Sequence, residues 1–159
     1  MSLAPNQEAS NRCLLNSVLL SPRSRGSVGI TGPTSSDPLR VDPAYLLDSQ
    51  DSRLLLDAID TSLEYLQQTC FNGVLGKLVF PINNDLETLQ RYTYPNYHFS
   101  GTCPMGEDEE SVVDFALRFR GLEGLRIVDA SVIREPLKGN LHPTCIMLGE
   151  RAADLILAE

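Results

Sequence analysis

The only two histidines of the chain lie in its C-terminal half. His98 sits in Tyr97-His98-Phe99-Ser100-Gly101-Thr102-Cys103-Pro104-Met105-Gly106, and His142 in Gly139-Asn140-Leu141-His142-Pro143-Thr144. Imidazole titrates nearest to neutrality of all side chains, so either residue could take or give a proton at ordinary pH. Ser100-Gly101-Thr102 are small and let the backbone turn closely around something bulky. Standing alone among Tyr92, Tyr94, Tyr97 and Phe99, a histidine such as His98 is more often a hydrogen-bonded structural residue. The second block shifts that balance. Pro143 suits the first turn of a helix, and unpaired N–H groups and the helix dipole there favour an anion or a developing negative charge. A base together with an anion-stabilising helix start suits proton abstraction. Between the two blocks runs Gly121-Leu122-Glu123-Gly124-Leu125-Arg126-Ile127-Val128-Asp129-Ala130-Ser131, an apolar strand pattern closing on a small polar turn.

The elements that must carry these residues can be read from periodicity. Residues 1 to about 11 are polar and are expected to form a frayed terminus. Cys13 to Leu20 and Ser27 to Thr31 are short apolar runs joined by turn formers, Ser21-Pro22-Arg23-Ser24-Arg25-Gly26, which predicts a hairpin between them. Gly32, Pro33, Pro38 and Pro43 then break regular structure and predict an extended surface loop. From Ser52 to about Gln68, Leu55, Ile59, Leu63 and Leu66, with Leu56 and Tyr65 beside them, mark one face of a helix packed on a core. A short second helix is expected near Asn84 to Arg91, with Asp85 placed to cap the N–H of Thr88. Glu107-Asp108-Glu109-Glu110 reads as a solvated loop. Val112-Val113, Leu117 to Phe119 and Leu125 to Val128 read as strands, the last buried on both faces. Ile146, Met147, Gly149, Ala152, Ala153, Leu155 and Ile156 mark a closing helix with tight contacts.

Composition narrows the function. The chain has 159 residues, is 42% hydrophobic, and carries 21 acidic against 13 basic side chains, a net charge of -8. That length and composition suffice for an ordinary core. The charge repels phosphate backbones and anionic lipid heads, so no nucleic-acid partner is expected. No apolar run approaches the roughly 20 residues of a membrane span, and the start lacks the basic and apolar regions of a signal peptide, so a soluble chain is expected. The four cysteines, at 13, 70, 103 and 145, form no Cys-x-x-Cys pair and have no histidine at finger-like spacing. No metal site is expected, and buried free thiols are.

Taken together the motifs resemble those of the glucose-methanol-choline (GMC) oxidoreductases, flavoproteins that oxidise alcohols with FAD. Ser21-Pro22-x-Ser24-Arg25-Gly26 with Asp37-Pro38 and Asp42-Pro43-x-Tyr45 is similar to the entry of that family's substrate domain. His98-x-x-Gly101-Thr102-Cys103-x-Met105-Gly106 is similar to its catalytic segment. Gly124 to Ser131 resembles its last flavin-domain strand, and Gly139-Asn140-Leu141 through Gly149-Glu150-Arg151-Ala152-Ala153-Asp154 its final loop and helix. The resemblance implies an α+β fold: part of the GMC substrate domain, an antiparallel sheet with helices, plus the last strand and helix of the FAD-binding α/β domain. It divides the chain into a substrate-domain portion over 12–104, ending in the catalytic segment, and a flavin-contacting portion over 105–159.

Carried over by position, the resemblance makes His98 the base that accepts the alcohol proton. It places the second catalytic position on Asn140, where the family carries histidine or asparagine, and leaves His142 two residues too late to fill it. Tyr97 would lie near the flavin edge, Asp129 and Ala130 at the ribityl and phosphate part, and His142 and Pro143 at the pyrimidine end. The sequence departs from the family in lacking the Gly-x-Gly-x-x-Gly that brings a helix end to a dinucleotide pyrophosphate. The chain is therefore expected to be the C-terminal portion of the family's fold, to need an N-terminal flavin-binding part, and to expose apolar surface on its last helix. Three functions remain open. One is the C-terminal part of an alcohol oxidoreductase with FAD and a small-molecule alcohol as partners, favoured by Gly101-Thr102-Cys103-x-Met105-Gly106. Another is an FAD-containing hydroxynitrile-lyase-like enzyme, whose segment usually has other residues where Ser100 and Thr102 stand. The last is a non-catalytic fragment that cannot hold FAD alone.

Overall fold

The computed structural model describes residues 13–78 and 83–159, so the terminus expected to fray lies outside the described residues. The chain folds as two compact units. One holds the described residues up to Gly26 and those of Asp42–Asn96, and the other Ser27–Val41 with Tyr97–Glu159. Among the described residues the architecture is α+β, with a small antiparallel sheet and three α-helices, as the resemblance implies. Among the described residues no helix is long and apolar enough to cross a membrane.

Helix α1 (Ser49–Leu66) is the frame of the first unit. Its start is set by Asp48, whose carboxylate accepts from the N–H of Gln50 at 2.8 Å, and the predicted apolar face buries Leu55 and Ile59. Helix α2 (Leu86–Tyr92) begins as expected, with Asp85 accepting from the Thr88 N–H at 2.7 Å. It contributes Leu89, fully buried against Leu55 and Ile59, with Leu19, Leu46, Leu56 and Leu63 around them. Tyr65 and Leu66 stand outside this core, and Tyr65 packs its exposed ring edge-on to Phe71 at 5.2 Å.

The hairpin expected between Cys13 to Leu20 and Ser27 to Thr31 does not form. Residues 13–20 carry no regular structure and run along α1, with the Ser17 hydroxyl 3.0 Å from that of Ser62 and Leu19 packed on the core. Strand β1 (Ser27–Gly29) pairs instead with β2 (Arg40–Asp42), inside the stretch read as an extended loop. The reason is the turn between them. Asp37 accepts from both the N–H and the hydroxyl of Thr34, and the Asp37 N–H returns to the Thr34 carbonyl, so the chain reverses before Pro38 and keeps its prolines off the pairing positions.

Asp51 lies in the first turn of α1 and is only 1% exposed. Its carboxylate accepts from the backbone N–H of Arg23 at 2.8 Å, from the N–H of Ser24 at 2.8 Å and from the Ser24 hydroxyl at 2.6 Å. The Ser24 hydroxyl in turn accepts from the Asp48 N–H. The Ser21 to Gly26 turn is thereby tied to the start of α1. Burial pushes the pKa of Asp51 up, but the Ser24 hydroxyl, the two N–H groups and the nearby charge of Arg25 outweigh it and hold the carboxyl below its ordinary range.

In the second unit, helix α3 (His142–Leu157) lays Leu148 and Ala152, one turn apart, on Val113, Leu117 and Val132. The residues read as its packing face divide differently: Ala152 is buried, whereas Ile146, Met147 and Ile156 are more than half exposed. The three segments read as strands make isolated bridges only, Val113 to Phe119 and Arg118 to Arg126 antiparallel and Met105 to Val113 parallel. Leu125 is exposed and Ile127 and Val128 are only half-buried, so the segment read as buried on both faces is fully buried on neither. A segment with one neighbour can satisfy only one edge of its backbone and bury only what that neighbour covers. All four thiols are free, as expected, but none is buried: Cys13 and Cys70 are exposed and Cys103 and Cys145 intermediate.

Asp51→Ala leaves three donors without their acceptor and should destabilise the chain by about 2–4 kcal/mol, read as a lower urea midpoint. Arg53→Ala, on an exposed position of the same turn, should change it by less than about 0.5 kcal/mol. Because the folded pKa of Asp51 lies below the unfolded value of about 3.9, its contribution is complete above that pH and is lost as the pH falls through the folded pKa. The gap between the native chain and Asp51→Ala should therefore narrow on acidification below about pH 4; a constant gap would contradict a charged role.

Candidate active site

Tyr97 and His98 open the second stretch of the second unit. Tyr97 has a φ of 57°, left-handed for a residue with a bulky side chain, and its ring is 78% exposed. His98 follows, half-buried. Gly101 also has positive φ, 84°, and a Cβ there would stand 3.1 Å from the Arg134 carbonyl oxygen and 3.4 Å from that of Ile133. Glycine at this place therefore permits backbone to lie on backbone. The contact continues in register, with the Cys103 N–H donating to the Ser131 carbonyl and the Met105 N–H to the Val132 carbonyl, each at 3.0 Å. On the other side the Val112 N–H donates to the Pro104 carbonyl at 2.8 Å, and the Gly106 N–H to that of Val113 at 3.0 Å. The segment after His98 is thus held between two others.

Asp129 caps the short 3-10 turn Ala130–Val132, accepting from the Ser131 N–H at 2.8 Å, and Val132 seats that turn in the core. Beyond it Arg134 reaches back. Its Nη2 donates to Asp108 Oδ1 at 2.9 Å and to Ser111 Oγ at 2.8 Å, and the Ser111 hydroxyl donates to the same Asp108 oxygen at 2.7 Å. The Arg134 guanidinium and the Ser111 hydroxyl hold the Asp108 carboxyl below the ordinary range. The acidic run Glu107 to Glu110 is exposed, as a solvated loop should be, but it is anchored through Asp108. Neither Asp108, Ser111 nor Arg134 stood out in the sequence. An Asp with Ser three residues on is a local turn signal, but the arginine that completes the triangle is remote from it in the chain.

Helix α3 starts at His142 with Pro143 in its first turn, as its sequence predicts, and with buried Leu141 at the N-cap and no side chain capping from there. The Asn140 Oδ1 accepts from the His142 N–H at 2.8 Å. With its oxygen committed, the Asn140 amide presents its NH2 group as donor. Pro143 has no N–H, and that of Thr144 meets no acceptor among the described residues, so this helix start keeps a free donor at its positive end.

The structure therefore brings Gly101 to Met105 against Ser131 to Arg134 through two backbone bonds and the close approach at Gly101, and Asn140 to His142 through an amide. No hydrogen bond joins His98 to Asn140 among the described residues. Groups of three or more His, Cys, Asp or Glu placed to hold a metal ion are absent among the described residues. A wide concavity lined by Arg118, Arg120, Arg126, Ile156 and Glu159 includes none of the candidate residues, and its Arg126 is paired with Glu159.

The family model described as GMC oxidoreductase matches residues 22–149, a span that holds every candidate residue. The chain is 34% identical over 148 residues to an uncharacterized GMC-type oxidoreductase of Mycobacterium tuberculosis, covering 87% of this chain and 28% of that protein. To the oxygen-dependent choline dehydrogenase of Escherichia coli it is 39% identical over 118 residues, 70% of this chain and 21% of that one. Among solved structures, pyridoxine 4-oxidase from Mesorbium loti superposes with a TM-score of 0.77 at 30% identity, over 88% of this chain and 28% of the other. The chain thus spans under a third of the length of the relatives it matches. With its motifs, its fold and these matches in agreement, the chain belongs to the GMC oxidoreductase family and corresponds to the C-terminal portion of that family's proteins.

Proposed function

We propose that this chain is the C-terminal part of an FAD-dependent alcohol oxidoreductase, with His98 as the base and Asn140 as its partner. The observation that carries the reading is the register of Cys103 and Met105 on Ser131 and Val132, which ties the His98 segment to the Asp129 turn in one unit. FAD, when bound, supplies the acceptor for the hydride leaving the alcohol carbon.

The residues present suit a flavin. Reduced flavin carries negative charge near N1 and the C2 carbonyl, and the α3 start offers the Thr144 N–H and the positive end of a helix, with His142 and Pro143 exposed beside it. Asp129 and Ala130 would meet the ribityl and phosphate part, and the exposed Tyr97 ring the edge of the isoalloxazine. Towards the substrate, the half-buried His98 accepts the hydroxyl proton. The Asn140 NH2, aimed by the bond from its own oxygen to the His142 N–H, donates to the substrate oxygen and fixes it.

The absorption spectrum tests the assignment. Flavin absorbance near about 450 nm that bleaches anaerobically with an alcohol is the expected result for this chain joined to its flavin-binding partner sequence. Absorbance that never bleaches, with cyanohydrin cleavage, would establish the lyase; absence of flavin on this chain alone, with none on the joined protein, would establish the inert fragment.

In the flavin-loaded enzyme His98→Ala should slow flavin reduction by roughly two orders of magnitude or more, and an unchanged rate would remove His98 from the mechanism. Asn140→Asp keeps an acceptor for the His142 N–H but removes the NH2 donor. It should slow reduction at least tenfold, about the worth of one lost hydrogen bond to substrate, and more than His142→Ala does. The reverse order would move the second position to His142.

A further inference from the structure

We infer that Arg134 is a positioning residue for His98, acting by clamping both ends of the Gly101 to Gly106 segment; the inference rests on the reading of His98 as the proton acceptor. At one end the Arg134 carbonyl oxygen lies where a Cβ on Gly101 would be 3.1 Å away, so it marks the turn three residues after His98. At the other end its guanidinium closes a triangle with Asp108 and Ser111, with edges of 2.9, 2.8 and 2.7 Å. A Cβ on Gly106 would stand 2.5 Å from Ser111 Oγ and 3.2 Å from Arg134 Nη2, so the segment's last residue is packed directly against that triangle. The Arg120 guanidinium donates to the Asp108 carbonyl and so holds the same loop through its backbone.

The arrangement is poorly explained as a source of stability. The Arg134 and Asp108 side chains are 38% and 56% exposed, and ion pairs this open to water contribute at most about 1 kcal/mol. What the triangle does fix is geometry. A guanidinium offers several donors in a rigid plane, so one residue can hold a carboxylate and a hydroxyl at set angles while its own backbone sets the neighbouring turn. A change of register between Gly101 to Gly106 and Ser131 to Arg134 would be transmitted to His98 through only Phe99 and Ser100. Misplacement of a base by about 1 Å can cost on the order of a hundredfold in rate.

The two histidines make the test direct, because their ring signals can be separated in proton NMR by a His98→Gln variant of the chain. Arg134→Ala and Asp108→Ala should each shift or broaden the His98 signal and leave that of His142 in place as an internal reference, and Arg134→Lys should recover part of the native signal. In the flavin-loaded enzyme the same two alanine variants should lower kcat roughly tenfold to a hundredfold with KM held within about twofold. Glu107→Gln, which removes a charge from the same loop and leaves the Asp108 bonds intact, should match the native enzyme in both assays. An unmoved His98 signal in Asp108→Ala, whose side chain is exposed and whose loss should leave the fold intact, overturns the inference, as does a loss confined to KM. Should His98→Ala itself leave the rate unchanged, the catalytic reading fails separately, and the NMR result still decides whether Arg134 sets the place of His98.

Discussion

Backbone lying directly on backbone, where Gly101 to Met105 meets Ser131 to Arg134, is the constraint on which the second unit is built. Two N–H···O bonds onto the Ala130–Val132 turn set the register, and a glycine at positive φ brings the backbones so close that a Cβ there would force them a few tenths of an ångström apart. The hydrophobic core then follows from that register. Val132 is buried because its neighbours are paired, Val113 because Pro104 and Gly106 bond on either side of it, and Leu148 and Ala152 of α3 cover both. The exposed rim, with Tyr97, Asp129, Asn140 and His142, is carried on this frame without contributing to its core.

The first unit solves a related problem by burying a charge. A carboxylate out of water is costly unless its lone pairs are filled. Asp51 meets three donors from one turn, so the expense of burial becomes a demand for that particular turn: a Ser21 to Gly26 loop of any other shape would leave the carboxylate unsatisfied. The Asp48 cap and the Asp51 anchor share Ser24, which makes the helix start and the loop one cooperative piece.

How far this could be read from the sequence depends on the range of the interaction. Both helices with short-range signals, α1 through its apolar period and α2 through Asp85 and Thr88, start within a few residues of where the pattern places them, since caps and faces are local. The expected hairpin is absent because apolar runs do not say with whom they pair; the Thr34 and Asp37 turn, a stronger local signal, decides the pairing. Strand-like segments of 112–128 were legible as apolar runs, but their burial depends on neighbours that no periodicity reveals. In the candidate site the histidines, Asn140 and the Pro143 helix start were legible as residue types and motifs. The triangle of Asp108, Ser111 and Arg134 was not, because it joins an acidic run to an arginine 26 positions away.

Gly106 constrains the chain in one further way. The space a methyl group would need there is filled by the Ser111 hydroxyl, itself bonded on two sides. Neither position is free to drift by itself: a larger residue at 106 requires a smaller one at 111, and a smaller one at 111 leaves Arg134 and Asp108 without their shared partner. Four residues, no two of them adjacent in sequence, would thus change together over evolutionary time, or not at all.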